Sequence, residues 1–172
     1  MRSLFLSAVS SVLLSVKSSF VLLLLVLTQQ SYAQSAADTF TEEHKRWLKE
    51  EFAEKHQAII PKVAVADMFY GCNVVRKTDP VPYQVSQIIT KMDKDLLAEK
   101  LARCLGDETP QSDSALNFGL VGCFSDQLAK LPKQERAEKM ELVERAIARL
   151  SRDDRKRSFT KCVTEQAIKY IQ

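Results

Sequence analysis

The four cysteines, Cys72, Cys104, Cys123 and Cys162, constrain what this chain can fold into more than any other feature. Two of them follow a glycine, at Gly71-Cys72 and Gly122-Cys123, and each Gly-Cys step has one further cysteine downstream. The stretch that carries the downstream cysteine also looks used twice. Shifted by 58 positions, Ile89–Leu105 lies over Ile147–Val163, which sets Ile89 on Ile147, Lys91 on Arg149, Asp95 on Asp153 and Cys104 on Cys162. Three of the 17 positions are identical, a hint of two similar helical units at about 62–106 and 112–168.

An even cysteine count in a short chain reads as disulfides formed in an oxidising compartment. Structural zinc sites draw their ligands from close pairs such as C-x2-C. Here 31, 18 and 38 residues separate successive cysteines, and no histidine lies near any of them. If the units are duplicated, the natural pairing is Cys72–Cys104 with Cys123–Cys162, and crossed pairings stay open. Each bridge in that pairing contributes about 3.5 to 4 kcal/mol by restricting the unfolded chain.

The N-terminus points to export. Arg2 and Lys17 are the only charges before Asp38, and an apolar run from Phe20 to Leu27 is followed by Ser31-Tyr32-Ala33. A charged start, a short apolar stretch and small residues before the cut define a secretory signal peptide over residues 1–33, cleaved after Ala33. The rival is a membrane anchor, since the stretch from Leu4 to Leu27 is long enough to span a bilayer. Lys17 sits mid-span, where a charge costs about 2.5 kcal/mol or more, so no stable membrane insertion is expected after cleavage. Removal of Arg2 and Lys17 takes the formal net charge from +3 to +1. A nearly neutral, charge-rich chain gives no ground for expecting a nucleic-acid partner.

From residue 34 onward the pattern is that of one all-α domain. Trp47, Leu48, Phe52, Ile59 and Val63 recur at helical intervals, and Thr39 or Thr41 can cap that helix. Pro61 is expected to kink or end it, with a second helix from Lys62 to Asn73 carrying Val65, Phe69 and Cys72. The KTDPVP run at 77–82 breaks the chain, and Pro82 suits an early helical position. Asp93 or Asp95, Ser112 or Ser114, and Ser151 are candidate caps for later helices, and Gly106 a candidate C-terminal stop. No stretch alternates with a period of two. With only four glycines in the chain, six or seven helices in a disulfide-linked bundle are expected.

Reactive chemistry finds little support. His44 and His56 lie 12 residues apart, about 18 Å along a helix, too far to share a metal; both read as solvated surface. No G-x-S-x-G turn or Gly-rich phosphate loop occurs, and the paired carboxylates read as helix-surface neighbours. No catalytic residue, metal or cofactor is therefore assigned. Trp47, Phe52, Phe69, Tyr70, Phe118 and Phe124, with Met68, are candidates to line an apolar pocket. Arg152, Arg155, Lys156 and Arg157 are candidates for a patch facing an acidic partner. The expected function is that of an exported, non-enzymatic protein, periplasmic or secreted, that binds another protein as an inhibitor, immunity factor, chaperone or secretion accessory. The alternative is a carrier of a small apolar ligand in a helical pocket.

Overall fold

A computed structural model describes residues 41–171. The signal-peptide segment and the Thr39 cap lie outside the described residues. The chain divides into two compact units between Glu51 and Phe52. In the first, residues 41–47 are α-helical, a π-helical turn follows at Leu48–Phe52, and none of residues 41–51 is buried.

The second unit is built from six helices: α1 (Ala53–Arg76), α2 (Val85–Lys91), α3 (Lys94–Leu105), α4 (Asp113–Gln127), α5 (Lys133–Arg149) and α6 (Arg152–Tyr170). The described residues contain no strand, so the protein is an all-α bundle. Pro61 neither ends nor divides α1, contrary to the expectation from its ring. Its missing N–H removes one helical bond. Unbroken, α1 carries Val63, Ala66, Phe69 and Cys72 into the core on one stripe, each at most 1% exposed, and that burial outweighs the loss. Pro82 precedes a helix without entering it, because α2 starts only at Val85, after Gln84 in extended conformation.

The local start and stop signals act as expected. The Asp93 carboxylate accepts the N–H groups of Asp95 and Leu96, the Ser112 hydroxyl that of Ala115, and the Ser151 hydroxyl that of Asp154. Each satisfies donors that the first helical turn leaves orphaned. Gly106 closes α3 at φ 64°, a backbone region that side chains disfavour. The loop after α1 is tied down by Asn73, whose side chain both accepts from Asp79 N and donates to Asp79 O. The Asp79 carboxylate receives the Tyr83 hydroxyl at 2.9 Å and the Lys100 ammonium. The Lys100 bond in particular holds Asp79 below the usual carboxylate range.

Both disulfides form in the unit-wise pairing. Cys72–Cys104 joins α1 to α3 and Cys123–Cys162 joins α4 to α6, with Cα separations of 6.2 and 6.3 Å. No described cysteine is free. Each half of the bundle thus has three helices with its first and third covalently joined. The 58-residue shift that sets Cys104 on Cys162 also sets the Asp93 cap on the Ser151 cap.

The contact between the halves is reciprocal. A Cβ on Gly71 would overlap the backbone of Phe118 in α4, and a Cβ on Gly122 would overlap the backbone of Asp67 in α1. In both cases the residue met lies four positions before the other helix's glycine. Two helices meeting through such small residues bring their backbones together directly at the centre of the core. Arg76 braces α1 against α3 by donating to the carbonyls of Cys104 and Leu105, each at 2.8 Å, and reaches across to the other half by lying over the Phe118 ring at 5.2 Å.

Candidate functional site

The helix crossing leaves a groove between α1 and α6, floored by α4. Its α1 wall is Pro61, Ala64, Val65 and Met68; its α6 wall is Arg152, Lys156, Phe159 and Thr160; Leu116, Pro110 and Gln111 complete it. The volume is about 430 Å³, within the range of small-ligand sites, and apolar walls with a few charged groups at the edge are what such sites present. The walls follow from the α1 helical period. Residues 63, 66 and 69 enter the core, so 64, 65 and 68 fall on the adjoining half-buried stripe, with Pro61 exposed at its end.

Lys156 at the groove edge is exposed and forms no ion pair among the described residues. The other three basic residues of that turn are engaged. Arg152 donates to Gln111 O at 2.9 Å and to Asp113 at 3.2 Å; Arg155, with its side chain 15% exposed, reaches Asp113 at 2.7 Å; Arg157 pairs with Asp154. The four therefore do not present one basic surface. Arg155 fastens α6 to the start of α4, and Lys156 alone offers uncompensated charge.

The aromatic candidates are likewise dispersed. Phe69 is 1% exposed in the core, edge-on to Tyr83 with centroids 5.5 Å apart. Phe118 lies under Arg76, Phe124 packs against the core, and Phe52 stacks on His56 at 5.9 Å. Trp47, 42% exposed, belongs to residues 41–51 and stacks on His44. Tyr70 lines a second cavity, of about 450 Å³, with Tyr83, Ser125, Asp126, Lys133 and Arg136. Of the residues proposed to line a pocket, only Met68 reaches the α1–α6 groove.

His56 departs from the expectation of a solvated side chain. It is half-buried, and its Nε2 lies 2.9 Å from the Thr164 carbonyl oxygen, a bond from α1 to α6. The Thr164 carbonyl is an acceptor only, so Nε2 carries the hydrogen.

Two buried carboxylates also escaped sequence reasoning. Asp67 in α1 is fully buried and accepts the Gln166 amide from α6 at 3.2 Å. Asp126 in α4, 5% exposed, accepts the Tyr170 hydroxyl at 2.7 Å and the Lys169 ammonium at 2.8 Å. Burial pushes the Asp67 carboxyl well above its ordinary range, and the negative Asp126 nearby adds to the shift. Burial and the bond to Asp126 also raise the Tyr170 hydroxyl. A signal for both acids exists: Asp67 and Asp126 fall on core-facing positions of otherwise apolar stripes. Asp126 has both oxygens engaged where it lines the second cavity, and Asp67 is enclosed in the core.

Compared with family models, curated proteins and solved structures, the chain matches none. Among the described residues, no three His, Cys, Asp or Glu side chains gather as metal ligands. Two interior disulfides suit an oxidising environment outside the cytosol.

Proposed function

We propose that the chain is exported after loss of residues 1–33, to the periplasm or beyond, and binds another protein without catalysing a reaction. In this reading the α1–α6 groove receives an apolar side-chain cluster of the partner, with an acidic residue set against Lys156. The groove carries the proposal: an apolar trough, edged by one uncompensated cation, on helices held rigid by two disulfides. A rigid receptor loses little entropy on binding, which suits an inhibitor, immunity factor, chaperone or secretion accessory. The matched caps, matched disulfides and reciprocal glycine contact support an internal repeat as the origin of the scaffold.

A second reading, a carrier of a small apolar ligand with an anionic head, is favoured by the groove volume of about 430 Å³.

Photo-crosslinking in the native host separates the two. A crosslinker at Thr160, exposed on the groove edge, is expected to capture one distinct polypeptide, and the same group at Glu144 on α5 none. Val65→Glu should weaken that capture by about tenfold or more while leaving the helical spectrum intact. Native mass spectrometry of the mature protein would also give the cleavage site. A surplus small-molecule mass in place of a polypeptide transfers the groove to the carrier reading. Capture unaffected by Val65→Glu removes the groove from both.

A further inference from the structure

Asp67 and Gln166 are joined by one hydrogen bond, yet each keeps one buried oxygen, Asp67 Oδ2 and Gln166 Oε1, without a partner. Two acceptors on side chains already joined by a hydrogen bond cannot satisfy each other unless a proton lies between them. We infer that Asp67 is a neutral carboxylic acid in the native protein, its proton on Oδ2 donated to Gln166 Oε1. With Gln166 Nε2 donating to Asp67 Oδ1, the carboxyl and carboxamide close a two-bond ring. Both groups are planar, and rotation of the amide about its terminal bond brings the second pair of atoms into line. One proton taken from solvent accounts for both orphaned oxygens.

The surroundings agree. The helices packed on Asp67 are α4 and α6. From α4 it faces Asp126, a like charge; from α6 it faces Gln166, with Tyr170 also close. Lys169 is committed to Asp126, and no described lysine or arginine forms an ion pair with Asp67. Gly122 of α4 packs closely on the Asp67 backbone, and the Asp67 side chain is fully buried. An ionised carboxylate there would be uncompensated, which a folded interior avoids by keeping the proton.

The ring spans α1 and α6, the two walls of the groove. Loss of the proton would place a bare charge in that seam and loosen it. This consequence for binding rests on the function proposed above; the protonation state does not.

The direct test is carbon-13 NMR of the native protein labelled at the aspartate carboxyls, titrated from acid to mildly alkaline pH. One carboxyl is expected to keep the shift of a protonated acid after the other aspartates have ionised, and Asp67→Asn should delete that signal. A second measurement follows stability across the same range. Folded Asp67 holds its proton above the pH at which the unfolded chain releases it. The unfolding equilibrium constant of the wild type should therefore rise about tenfold per pH unit above roughly pH 4, levelling once the folded group ionises. Asp67→Asn should lack that component and be no less stable than wild type at neutral pH, since its amide can donate where the acid did. If every aspartate ionises together, or wild type and Asp67→Asn run parallel with pH, the neutral-acid assignment is overturned. A folded variant is not required for the first outcome, which the wild-type titration alone decides.

Discussion

Gly122→Ala is expected to destabilise the native state by about 3 kcal/mol or more, measured by urea unfolding. The added methyl would occupy the space of the Asp67 backbone, and a backbone inside a helix cannot turn aside as a side chain can. Relief requires α1 and α4 to separate, which opens the core around Ala66, Leu120 and Cys123, all fully buried. Gly71→Ala should cost a similar amount, because its methyl meets the Phe118 backbone in the same way. Gly119→Ala is the internal comparison. It lies on the same helix, but its methyl would meet the far end of the Phe159 ring at 2.6 Å, and a side chain can swing aside. Alanine also favours the helix by up to about 1 kcal/mol over glycine. Gly119→Ala should therefore be the mildest of the three, and equal losses at all three positions would discard the direct backbone contact as the reason for Gly71 and Gly122.

The disulfides give the second large effect. Cys104→Ser or Cys162→Ser should each cost roughly 2 to 5 kcal/mol, lowering the thermal midpoint by roughly 10 °C. Both sulfurs of each pair are buried, so each replacement also leaves a hydroxyl in apolar surroundings. Reduction of the wild type should reproduce the combined loss. Unchanged midpoints for both variants would end the view of the bridges as the frame of the bundle.

What could be read from the sequence was local or periodic. The caps at Asp93, Ser112 and Ser151, the stop at Gly106 and the helical stripes depend on neighbours within a few residues, so their signals survive without tertiary structure. The repeated Gly-Cys pattern favoured the unit-wise disulfide pairing but left the crossed pairings open, because spacing along the chain does not say which helices lie side by side. Pro61 was misjudged because a local penalty was weighed without the burial along α1 that opposes it. His56, Asp67, Asp126 and Gln166 acquire their meaning from partners 43 to 108 residues away. Aromatic content suggested a pocket, but which stripe of a helix faces the core decides whether Phe69 fills it or Met68 lines a groove. The basic turn at 152–157 was visible as charge; the commitment of Arg155 to Asp113 was not, because Asp113 belongs to another helix.

The covalent frame has a mechanical consequence. Each bridge closes a loop by joining residues 32 and 39 positions apart, which withholds about 110 and 130 Å of contour from any pull applied to the chain ends. In a single-molecule extension, adding reductant should lengthen the fully stretched chain by those two increments. A machine that threads the oxidised chain in the C-to-N direction meets the loop closed at Cys162 before the one closed at Cys104. The oxidised protein is thus a knot in the tensile sense: it can be bound, but it is hard to draw through a narrow pore.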